Sequence, residues 1–542
     1  MTAFTTIDYI VLVVYILGVA ALGASFGRKQ HDTKDYFLGG RSIPWWAIGL
    51  SVMATQASAI TFIGAPGWGY EGGLERINVF LNVPLVMAFL IVSLVPFFYR
   101  TEVFTAYEYL EKRFDTKTRV LTSLLFLVSR GLATGVVLFA PALVLSVVTG
   151  WDTNVTIVLM AVIAVAYTVL GGISAVIWTD VVQMFVLWFG AALSIYVILG
   201  ALPADGPGVF AVAAEAGMLD TLNFDPDPTI TYGIWAGVIG GFFLHAAYFG
   251  CDQSQIQRVL TSSSIKQSRM SLMVGGFLLF PQMLLFLSIG VLLYAFYQHV
   301  GDPQLSNINE LFPRFVVQYL PVGISGLVIA GVFAAAMSSL DSALNSLAAV
   351  SVRDFYAKFF RPDADEAHYL RVSRWATIFW GIYAMIFAFF AGNLGPVIET
   401  VNRIGSYFYG ALLGVFVLAI FSRRATGTGA FIGIVAGMVA VWALTQFAAV
   451  SWLYNNLVGA VVSIGVGWLV SHVTAAPQPA QVEELTMAGR REHAAAILAR
   501  RAASAEEVAR EERDERAMTK WPYLLIGYFF LTIVVLAVLQ SL

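Results

Sequence analysis

Apolar runs of about 20 residues follow one another along nearly the whole chain, and this repetition limits the fold more than any other feature. Wound into a helix, a run of that length matches the hydrocarbon thickness of a bilayer. In lipid every backbone N–H and C=O must be satisfied internally, so the runs read as helices and not as open strands. We place about fourteen spans, at residues 7–26, 44–66, 77–99, 119–148, 154–170, 175–201, 232–252, 270–298, 320–350, 371–391, 396–421, 426–448, 452–472 and 522–541. The expected fold class is therefore an all-α integral membrane protein. Only 12% of the 542 residues are charged, where a soluble chain has roughly 25%, which argues against an ordinary soluble enzyme. The net charge of −3 says little about partners, and we expect the lipid bilayer and no nucleic acid among them. The single cysteine, Cys251, leaves no intrachain disulfide. The first run lacks a basic flank and a small-residue cleavage site, so it reads as a retained span.

Lys and Arg alternate between the two sides of these spans. Arg28, Lys29, Lys34 and Arg41 follow the first span, Arg100 to Arg119 the third, Arg258, Lys266 and Arg269 the seventh, and Arg353 to Arg361 the ninth. The stretch 202–231 between the sixth and seventh spans has none. The positive-inside rule then puts both termini outside the cytoplasm, in a multi-pass protein of the plasma membrane. We expect a transporter module over 1–472, with its core at about 44–421, then a charged helical linker at 473–521 and a last helix at 522–542. The linker reads either as a solvated helix or as a docking element.

Ionisable groups inside spans cost about 2.5–3.5 kcal/mol each on insertion scales, so they mark function. They are Arg130, Asp180, His245, Asp252, Asp341, Glu399 and Arg403. Asp252 and Glu399 read as interfacial and hydrated, and Arg403 as snorkelling. His245 fits a neutral ring bonded to a neighbouring carbonyl or a group facing solute. Residues 334–346, AAAMSSLDSALNS, place Ala335, Ser338, Ser342 and Asn345 on one helical face. Oxygens on adjacent turns suit a hard cation such as Na⁺, although serines on a close-packed helix also bond their own carbonyls. The second span carries Thr55, Gln56, Ser58 and Thr61 inside an apolar run, and Gly64, Pro66, Gly67 and Gly69 are expected to break it. Interrupted helices of this kind build transporter sites.

These stretches, with 35–46 (DYFLGGRSIPWW), 54–66 (ATQASAITFIGAP), 168–183 (TVLGGISAVIWTDVVQ) and 252–258 (DQSQIQR), resemble the sodium/solute symporter family from the first span to about residue 470. The resemblance implies a leucine-transporter-like core of two inverted five-helix repeats. It implies a main Na⁺ site on the carbonyls of Ala54, Ala57 and Ala335 and the hydroxyls of Ser338 and Ser339, with Asp180 and Ser342 as a second. Asp341 departs from the usual small residue. The positions that hold sugar in some members fall on Phe80, His245 and Leu279, which argues against that binding mode. Arg130 matches an arginine that contacts a carboxylate in sialic acid carriers, and a guanidinium fork suits that group. Gln56, Ser58, Thr61, His245 and Asn402 would complete the solute site, with Tyr248 as a gate. The function so implied is sodium-coupled symport of a small carboxylate-bearing solute by alternating access. A neutral sugar or polyol is the alternative, and a membrane sensor a more distant one. No H-E-x-x-H, nucleophile elbow or phosphate loop points to an enzyme.

Overall fold

The computed structural model describes residues 4–26, 32–101, 103–201, 208–301, 303–305, 307–391, 397–492 and 518–541. Among these the chain is helical, and its only strand-like feature is an isolated bridge between Ile43 and Ser262. The principal helices are α1 (Thr6–Phe26), α2 (Trp45–Gln56), α3 (Ala59–Gly72), α4 (Val83–Val92), α5 (Ala106–Arg113), α6 (Thr116–Thr149), α7 (Thr153–Ala201), α8 (Gly241–Cys251), α9 (Gln253–Val259), α10 (Ile265–Val300), α11 (Ile324–Val350), α12 (Glu366–Ala391), α13 (Val397–Ser406), α14 (Tyr409–Phe421), α15 (Gly427–Phe447), α16 (Tyr454–Val473) and α17 (Trp521–Gln540). Ten helical stretches among the described residues are long and apolar enough to cross a membrane, and shorter apolar helices accompany them.

The outer surface differs from that of a soluble protein. On α12, Trp375, Phe379, Ile382, Ile386 and Phe390 are exposed at three- and four-residue spacing, and form an outward apolar stripe. The interior is a large apolar core that also holds fully buried Ser, Thr, Asn and Gln side chains. Hydrocarbon gives no reward for hiding leucines, so small and polar residues hold the helices together. α11 is buried from Val328 to Val350 and packs against α1, α6 and α7 and against both α2 and α3. α17 packs on α4 and α10.

Two helices are interrupted inside the bundle. The first break lies at Ala57–Ser58, between α2 and α3, where Ser58 is extended (φ −66°, ψ 170°). The sequence had suggested Gly64–Gly69, but α3 runs through Pro66 without stopping. Gly69 serves packing instead: a Cβ there would stand 2.4 Å from the Leu287 carbonyl oxygen of α10. The second break, which the span count had not foreseen, is at Asp252 between α8 and α9. Asp252 caps α9 by accepting from the Ser254 amide at 2.8 Å. α7 combines the expected fifth and sixth spans across a turn at Gly172, whose φ of 58° suits a residue without a Cβ.

Several cations counted as loop charges are buried. Arg113 and Arg258 are fully enclosed, and Arg119 is nearly so. Arg119 donates to Asp354 at 2.5 Å and to Glu111 at 2.6 Å, and Asp354 also accepts from Ser123 at 2.7 Å and Thr105 at 2.9 Å. The start of the charged linker docks on this region: Tyr109 donates to the Leu485 carbonyl at 2.7 Å, and Arg423 pairs with Glu492. Residues 493–517 of the linker lie outside the described residues.

Glu111, on α5 between spans, provides a pH test. Burial raises its carboxyl, but hydrogen bonds from Lys358, Thr116 and Arg119 outweigh that and bring it from 4.5 to about 2. A carboxylate lowered in this way adds stability that is fully present above pH 4.5 and is lost as pH falls toward 2. Glu111→Gln should therefore lower the Tm in detergent at neutral pH, and the gap to the unsubstituted protein should close across that acid window.

Candidate functional site

The two breaks face each other across one cavity. Its wall contains Thr55, Gln56, Ser58, Ile60 and Thr61 from the first break, Arg130 and Val137 from α6, and Leu244, His245, Tyr248 and Ser254 from the second. Phe80, Ser339, Val401, Asn402 and Tyr409 complete it. Every residue expected to contact solute, namely Gln56, Ser58, Thr61, Arg130, His245 and Asn402, lines this cavity, and so does Tyr248. Thr55 belongs to the polar patch read from the second span, whereas Ser254 and Tyr409 were not anticipated. A hydroxyl inside an apolar run was the available signal, and a single tyrosine or serine gives it weakly.

The first break is held by hydroxyls. Thr61 donates to the Gln56 carbonyl at 2.9 Å, and Ser339 reaches the Thr55 carbonyl at 3.5 Å across the α11 interface. Ala54, Ala57 and Ala335 are fully buried around this contact. The Ser338 hydroxyl is buried beside the Asp180 carboxylate and makes no hydrogen bond of ordinary geometry among the described residues. Such a group is costly unless something occupies it. Among the described residues no cluster of three or more His, Cys, Asp or Glu could hold a metal, so hydroxyls and carbonyls are the cation ligands on offer.

Asp180 lies beside this stripe, on α7, with an arginine against it. Its Oδ2 accepts from Ser51 at 2.5 Å and from Arg258 at 3.3 Å. Arg258 also donates to Ser342 and, through Nε, to Ser51 at 2.7 Å. Ser342 is further committed to the Ser338 carbonyl at 2.5 Å. Asp180 Oδ1 remains buried without a partner among the described residues. Asp341 accepts from Thr168 at 3.0 Å and is not part of the cavity wall. The Glu399 side chain lies outside what the structure describes.

Arg130 is not a bare cation. Its Nη2 donates to Asp252 and, at 3.0 Å, to Ser254 Oγ. Asp252 is 2% exposed and also accepts from Tyr409 at 3.3 Å, so it is not the hydrated interfacial group expected from sequence. The guanidinium lies 5.4 Å from the centre of the Tyr248 ring, a cation–π contact. Nε is buried without a hydrogen-bond partner among the described residues, and the Tyr248 hydroxyl lies within reach of the guanidinium, so Nη2 alone is tied to Asp252 and Ser254.

The sodium:solute symporter family profile matches residues 36–437. The chain belongs to the sodium:solute symporter family. As in that family, its work is sodium-coupled transport of a solute and not enzymatic turnover. The sodium-dependent multivitamin transporter of Oryctolagus cuniculus is 32% identical over 457 residues, covering 81% of this chain and 70% of the relative. The sodium/sialic acid symporter of Proteus mirabilis is 30% identical over 482 residues, covering 86% and 95%. A solved substrate-bound, outward-open Na⁺-coupled sialic acid symporter superposes with a TM-score of 0.79 at 30% identity, covering 88% of this chain and 99% of that one.

Removing one partner of a buried ion pair leaves an uncompensated charge and costs about 3–5 kcal/mol. Asp252→Ala in this symporter should lose stability of that order, measured as Tm in detergent. Arg130→Met/Asp252→Leu together should recover most of it.

Proposed function

We propose that the chain imports a small carboxylate-bearing solute, coupled to Na⁺, through the cavity between the two broken helices. The observation that carries this is Arg130 in the cavity wall, tied to Asp252 through Nη2 alone and with polar groups of the broken helix sharing the wall. A carboxylate there gains a charge-assisted hydrogen bond from a group already desolvated. The relatives named above, which carry a multivitamin and sialic acid, support an organic acid. A second reading, neutral sugar or polyol symport, is favoured by Asp252, which cancels the Arg130 charge before any solute arrives.

Na⁺ binds first on the carbonyls of Ala54, Ala57 and Ala335 and the hydroxyls of Ser338 and Ser339. The buried Ser338 hydroxyl, which makes no hydrogen bond of ordinary geometry among the described residues, supports this assignment. A second Na⁺ at Asp180 would use Oδ1, with the Ser338 hydroxyl nearby, since Ser342 and Oδ2 are engaged by Arg258. Bound Na⁺ ties α11 to the break between α2 and α3 and so stabilises the conformation in which the solute groups of Gln56, Ser58 and Thr61 are assembled. Tyr248, joined to Gln255 at 2.8 Å, and Tyr409 gate the cavity. The transmembrane unit spans 1–472 with fourteen spans counted to residue 542, an inverted pair of five-helix repeats at its core, and both termini outside the cytoplasm.

Moving one charge through 100 mV releases about 2.3 kcal/mol, which concentrates a neutral solute roughly 50-fold. A monoanion carried with one Na⁺ cancels this electrical term, and a second Na⁺ restores it. Uptake into proteoliposomes under an imposed Na⁺ gradient tests the reading. Arg130→Lys keeps a cation for Asp252 but removes the fork, and should lower affinity for an acidic solute by about tenfold or more while neutral solutes are unaffected. Equal acid uptake by both proteins would remove the carboxylate assignment. Ser339→Ala should raise the Na⁺ concentration for half-maximal uptake by roughly tenfold with Tm unchanged.

A further inference from the structure

His245 shares the cavity wall, and a second buried residue fixes which of its nitrogens carries the proton. Asn82 is fully buried, between Asn78–Leu81 and α4. Its amide nitrogen donates to two backbone carbonyls, Val79 at 2.7 Å and Gly237 at 2.9 Å. The opposite orientation would press a side-chain oxygen against both carbonyls, so the amide is oriented by the backbone. Its oxygen is then left facing His245 Nδ1 at 3.0 Å. Two acceptors cannot bond, so Nδ1 must carry the hydrogen.

The second nitrogen follows by elimination. The ring lies between Phe80, with centroids 5.1 Å apart, and Phe249, at 6.0 Å. It makes no ion pair among the described residues, and the same cavity already holds the Arg130 guanidinium. A second proton would add an unpaired cation there. The ring is therefore neutral, with an unprotonated Nε2 that makes no hydrogen bond of ordinary geometry among the described residues, while the Gly241 carbonyl, one turn back on α8, is a further acceptor beside the ring. Close approach of the helices holds this arrangement in register: a Cβ on Gly241 would stand 2.3 Å from Asn82 Nδ2.

We propose that Asn82 is a positioning residue that locks His245 as a hydrogen-bond acceptor, and that the solute must present an O–H or N–H donor to His245 Nε2. This rests on the reading above that the cavity holds the solute, and it narrows the class. A hydroxylated or N–H-bearing acid satisfies Nε2, whereas a bare short-chain monocarboxylate leaves it buried and unpaired. A site built to bond a hydroxyl rejects the analogue that lacks it, because its own polar group loses its partner.

The test uses the full-length protein in proteoliposomes with a Na⁺ gradient. The probes are D-gluconate and D-glucose, each also supplied with every hydroxyl in turn replaced by fluorine, which keeps the size and removes the donor. One position of the accepted series should lose affinity about tenfold or more. That loss should vanish in His245→Phe and shrink in Asn82→Leu, where the imidazole is free to change tautomer. Fluorinated analogues that all match their parents, or a preference that survives in a folded His245→Phe, would overturn the proposal. Nitrogen NMR of histidine-labelled protein decides without any solute. A neutral His245 signal with an unprotonated Nε2, missing in His245→Phe, supports the proposal, and a protonated Nε2 overturns it. Selective uptake of the glucose series alone would end the carboxylate reading and leave this one standing. Uptake of gluconate without fluorine discrimination would do the reverse.

Discussion

Backbone amides and carbonyls have nowhere to go in hydrocarbon, and this governs where the chain can be irregular. Two helices nevertheless stop and restart inside the bundle, at Ala57–Ser58 and at Asp252. Each interruption releases polar groups that only side chains or a ligand can satisfy. At the first, Thr61 and Ser339 take the carbonyls of Gln56 and Thr55. At the second, Asp252 takes the Ser254 amide on one oxygen and Arg130 on the other. The cavity is the space between these two repairs, and its polarity follows from the breaks themselves.

The arginines illustrate how little a buried charge can be understood alone. Arg130 and Arg258 each lie against a carboxylate on a different helix, Asp252 and Asp180. Each pair is nearly dry, and its attraction must repay the loss of hydration of two ions. Extra bonds from Ser254, Tyr409, Ser51 and Ser342 share that load. The consequence is that Arg130 presents to the cavity a group whose charge Asp252 has already neutralised.

Much of the site was legible because lipid makes polar residues expensive. Gln56, Ser58 and Thr61 stand out against an apolar run, and the oxygen stripe around Ser338 and Ser339 is visible from spacing alone. Asp252 and Arg258 were misjudged because both sit at the end of an apolar stretch, where a charge ordinarily reaches water. The fold returns that end to the interior, since α9 restarts the helix within the bundle. Gly67 and Gly69 were taken for helix breakers, yet the close backbone of Ile308 and of Leu287 on α10 explains them as packing residues.

Hydropathy and charge alternation by themselves determined that this chain is a bundle of membrane-crossing helices, because the bilayer penalises each residue nearly independently of its neighbours in the fold. Family membership was also carried in the linear motifs. Only the tertiary structure decided which residues neutralise which: that Asp252 answers Arg130, that Arg258 stands against Asp180, and that Asn82 sets the proton on His245. The Arg130, Arg258 and His245 pairs are separated by more than 70 residues in sequence. No local pattern encodes a contact whose geometry exists only once helices cross.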